Sequence, residues 1–385
     1  MQAVILAAGE GMRVRPLTRS RPKALIPVAN RPILEYAING LLVNGIRDII
    51  VVVGYRKEHV IRYLNTLDVP VKVVVQEKQL GTGHALNCAR HLVKEDFLVI
   101  PGDNYIDSTS LRRVIKEKNA MLVKNHPYPS NFGVVEIRNG MVEGVVEKPE
   151  VATGFTISTG VLSLTPDFFN YIESNDITDA VNAMLLKGGK IKAIPADDWQ
   201  DAIYPWDLLT MNRRLIKSVT PRKAGTIGKN AVITGDVKIG QGTDIGPNTV
   251  IEGPVIIGED CRIGPFCTIL SGSSIGSRVT IEPYSMIGNS IIMNDVTIGS
   301  HSRVRDAVIG DGTVLKDHVS VSLSQSVMEI EGTLMKVTFG AIIGDKVSAG
   351  PHTTFEGAIV GNNVSIRGGK RIVSTELAKD SLMVM

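Results

Sequence analysis

The sequence predicts two domains of unlike grammar, an α/β domain built on a parallel sheet and then a parallel β-helix of hexapeptide repeats. Three observations predict this. Apolar runs alternate with helical patterns through the first part of the chain. Isoleucine stands at 227, 233, 239, 245, 251, 257, 263, 269, 275, 281 and 287, eleven positions at a strict six-residue period. Composition also changes near residue 225: glycine numbers 15 in the first 224 residues and 23 in the last 161, while aromatic residues number 14 and 4. A chain of 385 residues is in any case long for one core. Residues 1–218 are expected to form the first domain, 219–226 the linker and 227–373 the β-helix.

In the first part, Gln2–Ala7 is a buried strand and 32–44 has helical spacing with Pro32 at its start. A strand follows at 48–54, a helix at 58–65, a strand at 71–76, a helix from Thr82 to Val93 and a strand at 96–103. Strands alternating with helices imply a parallel sheet covered on both faces. Ligands of such sheets bind beyond the carboxyl ends of the strands. That rule gathers Ala8–Lys23, Gln76–Thr82 and Gly102–Asp103 on one edge.

In the second part glycine often follows the periodic isoleucine, and the fifth place of each six is small or short, as at Ala231, Val237, Thr243, Thr249, Val255, Cys261 and Cys267. This is a hexapeptide β-helix pattern, with three sixes closing one 18-residue triangular coil. Cys261 and Cys267 occupy the inward slot and are read as core filler. The phase slips by one residue between Ile287 and Ile292 and between Val304 and Ile309, and is loosest over 321–340. Such slips imply bulges or ejected loops.

The formal net charge of +3, with no basic block, argues against nucleic acid as a partner. No apolar run reaches membrane-spanning length, and the chain enters a strand without a charged leader. Three cysteines without metal-ligand spacing suit a reducing, cytoplasmic setting.

The opening loop raises the chemical question. Ala8-Gly9-Glu10-Gly11 leaves a buried strand with its N–H groups unobstructed, and Arg13 and Lys23 add cations. Successive N–H groups in such a turn form an anion cradle. On spacing alone, a glycine turn with two solvated cations is the competing reading. The spacing is neither a P-loop nor G-x-G-x-x-G.

"LAAGEGMRVRPLT" followed by "RPKALIPVANRP" resembles the signature of sugar-1-phosphate nucleotidylyltransferases. The resemblance implies a Rossmann-like nucleotidyltransferase domain, and with the repeats it extends to bifunctional uridylyltransferase/acetyltransferases that end in a left-handed β-helix. It implies that Leu6, Ala8, Gly9 and Gly11 line the nucleotide, and that the catalytic cations Arg13 and Lys23 hold the triphosphate and the sugar phosphate. "QEKQLGTGHAL" (76–86) resembles the base-binding stretch, with Gln76 and Gly81 on a uracil or thymine and Thr82 beside them. A glutamine amide offers a donor and an acceptor side by side. Thr82 is also placed to cap the next helix, and His84 is read as packing. The resemblance assigns Mg²⁺ to Asp103, in "PGDN", and Asp201, in "DWQDAIYPWDLL", although Ala202 and Ile203 stand where glycine is usual. Asp197, Asp198 and Asp207 are read as solvated or capping residues. Gly133, Glu147, Lys148, Ser158 and Thr159 would face the sugar phosphate, and Ser158 stands where enzymes for N-acetylated sugars often carry Asn.

The implied reaction takes a nucleoside triphosphate, UTP or dTTP, and a hexose-1-phosphate, and releases pyrophosphate. Its catalysis is positioning and charge stabilisation. Two alternatives accompany it. In one, the β-helix also transfers acetyl from acetyl-CoA to an amino-sugar-1-phosphate, with His301 as base; the tyrosine and asparagine of that pattern are absent here, and only Lys336 is near. In the other, the chain is a non-catalytic regulatory or assembly subunit. Side-by-side packing of such helices implies a homotrimer.

Overall fold

β1 (Gln2–Ala7) is buried on both faces apart from Leu6, as its unbroken apolar run requires of a central parallel strand. It pairs in parallel with β2 (Ile49–Val53) on one side and β4 (Phe97–Pro101) on the other, and β2 pairs onward with β3 (Val71–Val75). The chain therefore winds outward through β2 and β3 and returns across β1 to β4. The point of reversal is the crevice at the carboxyl ends of β1 and β4. α1 (Ile33–Val43) starts behind Pro32, whose φ of −54° prepares the first turn, and buries Ile33, Leu34, Ala37, Ile38 and Leu41. α2 (Lys57–Leu64) and α3 (Thr82–Cys88) follow β2 and β3.

In this computed structural model residues 1–330, 333–374, 376–377 and 383–384 are described. Beyond β4 the sheet departs from the all-parallel expectation. β6 (Ala120–Asn125), β7 (Gly133–Arg138), β8 (Met141–Glu147), β9 (Thr156–Leu164) and β10 (Lys192–Pro195) complete nine strands in the order β3-β2-β1-β4-β9-β6-β10-β8-β7. β9 runs antiparallel to β4 and β6, and β8 runs antiparallel to β7 and β10. A separate two-stranded ladder joins β5 (Asn104–Ile106) to β11 (Trp199–Asp201). α4 (Ser108–Ile115), α5 (Ile177–Leu186) and α6 (Asp207–Leu215) are the remaining α-helices among the described residues.

The chain divides into two compact units, and neither is continuous in sequence. One holds Met1–Glu10, Pro22–Leu25 and Pro32–Asp201; the other holds Gly11–Arg21, Ile26–Arg31 and Ala202–Met385.

The second unit is a left-handed β-helix with three parallel sheets of nine, nine and eight strands. Ile245 pairs with Ile263 and Ile263 with Ile281, each 18 residues on, and all are fully or almost fully buried. From Ile275 the coil shortens: Ile275 pairs with Ile292 and Ile281 with Ile298, each 17 residues on. The phase slips at Ile287–Ile292 and Val304–Ile309 are thus not bulges. Each is a corner one residue shorter, and the same shortening returns between Phe355 and Val360. The loosest stretch is ejected: Ser324–Ile330 and Thr333–Phe339 form an antiparallel hairpin, and Ala307 resumes its pairing at Ala341. Cys261 and Cys267 are free thiols within the coil core. Thr243 and Thr249, in the same slot, donate their hydroxyls to the Gly258 and Gly264 carbonyls of the next coil at 2.7 and 3.0 Å.

Ile281 is 0% exposed in a core of stacked aliphatic residues. Ile281→Ala is expected to lower unfolding stability by about 2–5 kcal/mol, read as a shift of the urea midpoint at unchanged m-value.

Candidate active site

The carboxyl ends of β1 and β4 carry Ala8-Gly9 and Gly102-Asp103. A Cβ added at Gly9 would meet nothing within 4 Å, so this backbone faces open space. Leu6 is half-buried, Ala8 is buried, and the Ala8 carbonyl accepts from the Tyr55 N–H at 2.9 Å, which holds the strand end in place.

Lys23 is buried, and its ammonium lies 2.8 Å from Asp103 Oδ2 and 2.7 Å from Asp201 Oδ1. Two short antiparallel strands bring together carboxylates almost a hundred residues apart. β11 pairs with β5 so that Asp201 lies opposite Asn104, the neighbour of Asp103. Asn104, oriented to accept from Trp199 Nε1 at 3.2 Å, donates to Asp201 Oδ1 at 3.0 Å and Asp103 Oδ1 at 3.2 Å. Burial alone would pull the Lys23 ammonium down; Asp103 and Asp201 outweigh it and hold it above the ordinary lysine value. Its electrostatic stabilisation is complete below the unfolded lysine pKa and is lost only as pH rises through the higher folded value.

Asp107 fixes this ladder from behind. Its carboxylate caps α4 by accepting from the Ser110 N–H at 2.9 Å and also accepts from the Asp198 N–H at 3.0 Å. Burial, which would raise this carboxyl, is outweighed by those donors, so it lies below the ordinary aspartate value.

Gln76, at the end of β3, is buried. Its Nε2 donates to the Gly81 carbonyl at 3.0 Å and lies 2.9 Å from His84 Nδ1. A carbonyl only accepts, so the nitrogen's position is fixed, and Nδ1 must accept the second hydrogen. Both amide hydrogens are spent and the oxygen is the group left to offer. Gly81 has φ 147°, and a side chain there would strike the Asn175 carbonyl, so glycine is required. Gly81, not Thr82, is the N-cap of α3, and it has no side-chain cap bond. The expected capping role of Thr82 is corrected: its hydroxyl donates to Asp176 Oδ1 at 2.7 Å.

A third group gathers on β7–β9. Gly133 pairs with Glu147, and a Cβ at Gly133 would lie 3.1 Å from Glu147 Oε2 and 3.9 Å from Ser158 Cβ. Lys148, at φ 42°, reaches Glu147 Oε1 at 3.4 Å. Thr159 belongs to this stretch but is buried, and its hydroxyl donates to the Leu122 carbonyl at 2.8 Å.

The structure therefore brings together Lys23 with Asp103 and Asp201, Gln76 with Gly81, and Gly133 with Glu147, Lys148 and Ser158. Gly11, at φ 73°, and Arg13, on a one-turn helix, belong to the second unit. His301 lies at a β-helix corner with φ 56°. Its ring is stacked between Tyr284 and His318 at 4.9 and 5.1 Å, in a column running from Phe266 to His352. Sequence reasoning missed Asn104, Asp107 and the role of His84. The Asp-Ser-Thr-Ser run at 107–110 was the one signal available, as an N-cap. Asp207 Oδ2 accepts from the Tyr204 N–H at 2.8 Å, and Asp197 pairs with Arg113 at 2.8 Å.

A doubly wound sheet with a glycine-rich switch-point loop and a lysine between two carboxylates fits an enzyme of the sugar-1-phosphate nucleotidyltransferase class, which the family match and relatives show. The chain belongs to the nucleotidyl transferase family, which it matches over residues 2–218; residues 251–376 match the GMPPB C-terminal domain. It is 36% identical to the bifunctional protein GlmU of Methanococcus vannielii, over 100% of this chain and 97% of that protein. The UTP–glucose-1-phosphate uridylyltransferase AglF of Haloferax volcanii is 34% identical over 57% of this chain and 98% of its own. A solved structure from Bacillus anthracis, assigned as a glucose-1-phosphate thymidylyltransferase, is 27% identical at TM-score 0.51, covering 58% of this chain and 98% of that one.

Asp107 stabilises the native state above the unfolded aspartate pKa, and this is lost as pH falls through its lower folded value. Asp107→Asn should therefore be less stable than wild type at neutral pH and should approach it in acid, as read by thermal melts across pH 3–7.

Proposed function

We propose that the chain transfers UMP or dTMP from UTP or dTTP to a hexose-1-phosphate. A phosphate oxygen of the sugar phosphate attacks the α-phosphorus in line, the α–β bridging P–O bond breaks, and pyrophosphate leaves with the electron pair. The observation that carries this reading is the Lys23–Asp103–Asp201 cluster at the switch point. A phosphoryl transfer between ionised partners needs no protein base and depends on cations held in place. In this reading Lys23 and Arg13 hold the sugar phosphate and the triphosphate, and Leu6, Ala8, Gly9, Gly11 and Thr82 line the nucleotide. Gly133, Glu147, Lys148, Ser158 and Thr159 bound the sugar, Thr159 through its backbone.

Mg²⁺ is the metal that nucleotidyltransferases of this family generally use. Among the described residues no three His, Cys, Asp or Glu gather as a ready metal cage. Asp103 and Asp201 nevertheless converge on one cation, and hard carboxylate oxygens completed by phosphate oxygens suit Mg²⁺. Mg²⁺ there would supply charge neutralisation on the phosphates. Asp103 and Asp201 would hold it, and Lys23 would turn to a phosphate.

The base preference follows from Gln76. An amide oxygen accepts from N3–H of uracil or thymine, whereas cytosine presents an acceptor at N3. Domain limits at 1–218, 219–226 and 227–373, a cytoplasmic setting and a homotrimer through the β-helix complete the proposal. Exposed Leu323, Val327 and Leu334, on and beside the ejected hairpin, support contact with a second copy. Among the described residues no helix is long and apolar enough to cross a membrane.

The assay is pyrophosphate release from UTP, dTTP, CTP, ATP and GTP with glucose-1-phosphate or N-acetylglucosamine-1-phosphate. UTP or dTTP should lead, and Lys23→Ala or Asp103→Asn should lower kcat by at least about a hundredfold, as loss of one electrostatic donor does. A folded Asp103→Asn chain with wild-type turnover would remove the metal assignment. Acetyl-CoA with glucosamine-1-phosphate tests the second activity in the same preparations. His84→Ala releases one amide hydrogen of Gln76 and is expected to narrow the UTP-over-CTP preference by about tenfold, the worth of one neutral hydrogen bond. An unchanged ratio would show that His84 only packs.

A further inference from the structure

Asn294, Asp311, Asp345 and Asn362 stand at one corner of successive β-helix coils, each two residues after a paired aliphatic position. Each uses one side-chain oxygen in the same way. Oδ1 of Asn294 accepts from the Ser277 N–H at 2.9 Å, and Oδ1 of Asp311 accepts from the Asn294 N–H at 2.7 Å. Asp345 accepts from the Asp311 N–H and Asn362 from the Asp345 N–H, both at 2.8 Å. For this ladder an amide oxygen serves as well as a carboxylate oxygen, as Asn294 and Asn362 demonstrate.

The second atom of each side chain is where the rungs differ. Asp311 Oδ2 binds Arg21 Nη1 at 2.8 Å, and Asp345 Oδ2 binds Arg21 Nη2 at 2.5 Å. Asp345 Oδ2 also accepts from the Ser20 hydroxyl. At the next rung Asn362 turns Nδ2 toward the Pro16 carbonyl at 3.5 Å. Oxygens stand where the segment presents a guanidinium and a hydroxyl, and a nitrogen stands where it presents a carbonyl. The Arg21 side chain is 12% exposed and that of Asp345 10%, so this pair is shielded from water, where a charge left without its partner is costly.

We propose that Asp311 and Asp345 are positioning residues for nucleotidyl transfer. Through Arg21 they fix the segment Gly11–Arg21, which carries Arg13 and runs through Pro22 into Lys23. The proposal rests on the nucleotidyl-transfer reading above. It makes the β-helix part of the transferase machinery of this chain.

Because the ladder needs one oxygen per rung, Asp311→Asn/Asp345→Asn removes the charge and keeps the coil bonds. In the full chain this double variant should still melt cooperatively, at a lower temperature than wild type because Arg21 loses its partners. Its kcat for pyrophosphate release should fall at least tenfold, and amide exchange over 11–21 should quicken while that of the coil core does not. Arg21→Ala should lose as much, Arg21→Lys should recover part of it, and the triple variant should be no worse than Arg21→Ala, as expected of partners in one interaction. Wild-type kcat and wild-type exchange in the double variant would overturn the proposal. A wild-type chain that releases no pyrophosphate from any triphosphate would withdraw the nucleotidyl-transfer reading and this role with it. An active wild type beside an equally active double variant withdraws this role alone.

Discussion

One ammonium group organises the carboxyl-end edge of the sheet in the first unit. Lys23 is buried between Asp103 and Asp201, and neither carboxylate could be held so close to the other without a cation between them. The arrangement stores the two things a phosphoryl transfer requires, a fixed positive charge and a pair of hard oxygens, in mutually neutralised form. Burial raises the stakes, since each group left alone would be destabilised by its lost hydration.

The carboxylates owe their approach to backbone pairing. β5 and β11 contribute three residues each, too few to be stable by themselves. They persist because Asp107 ties the turn after β5 to the residue before β11, and because Trp199 and Asn104 close the ladder with side-chain bonds. Positioning here is hierarchical: a helix cap holds a loop, the loop holds a short ladder, and the ladder holds the acids.

What was legible in the sequence follows from periodicity. The eleven isoleucines fixed the coil, its core and the places of Cys261 and Cys267, because every turn repeats the same demand for an inward aliphatic group. The β1–β4 switch point was legible because β1, β2 and β4 are buried and read as continuous apolar runs. The antiparallel extension was not, since β7 is buried only over 133–135 and β8 only at Val142 and Val145, and a sequence does not say which neighbour each will find. The membership of Gly11–Arg21 and Ile26–Arg31 in the second unit was also invisible. These segments contribute buried residues such as Leu17, Ile26 and Val28 and polar contacts such as the Ala29 N–H to Asn212 Oδ1 at 2.8 Å, none of which leaves a periodic trace. The slipped phase was visible but misread. A missing residue in a six suggests a bulge, yet a coil can drop one residue at a corner, where the chain already turns and no inward side chain is lost.

Gln76 shows why residue type alone does not fix which end of an amide is presented. A free glutamine amide can present either end and would accept uracil or cytosine by turning over. Here the choice is removed by a group that cannot change character. The Gly81 carbonyl has no hydrogen to give, so it captures the amide nitrogen, and His84 takes the hydrogen that remains. Gly81 can place its carbonyl there because its backbone adopts a conformation closed to side chains. The same glycine thus fixes the start of α3 and the polarity of the amide beside it. The orientation of the amide thus rests on a backbone oxygen, with His84 holding its second hydrogen.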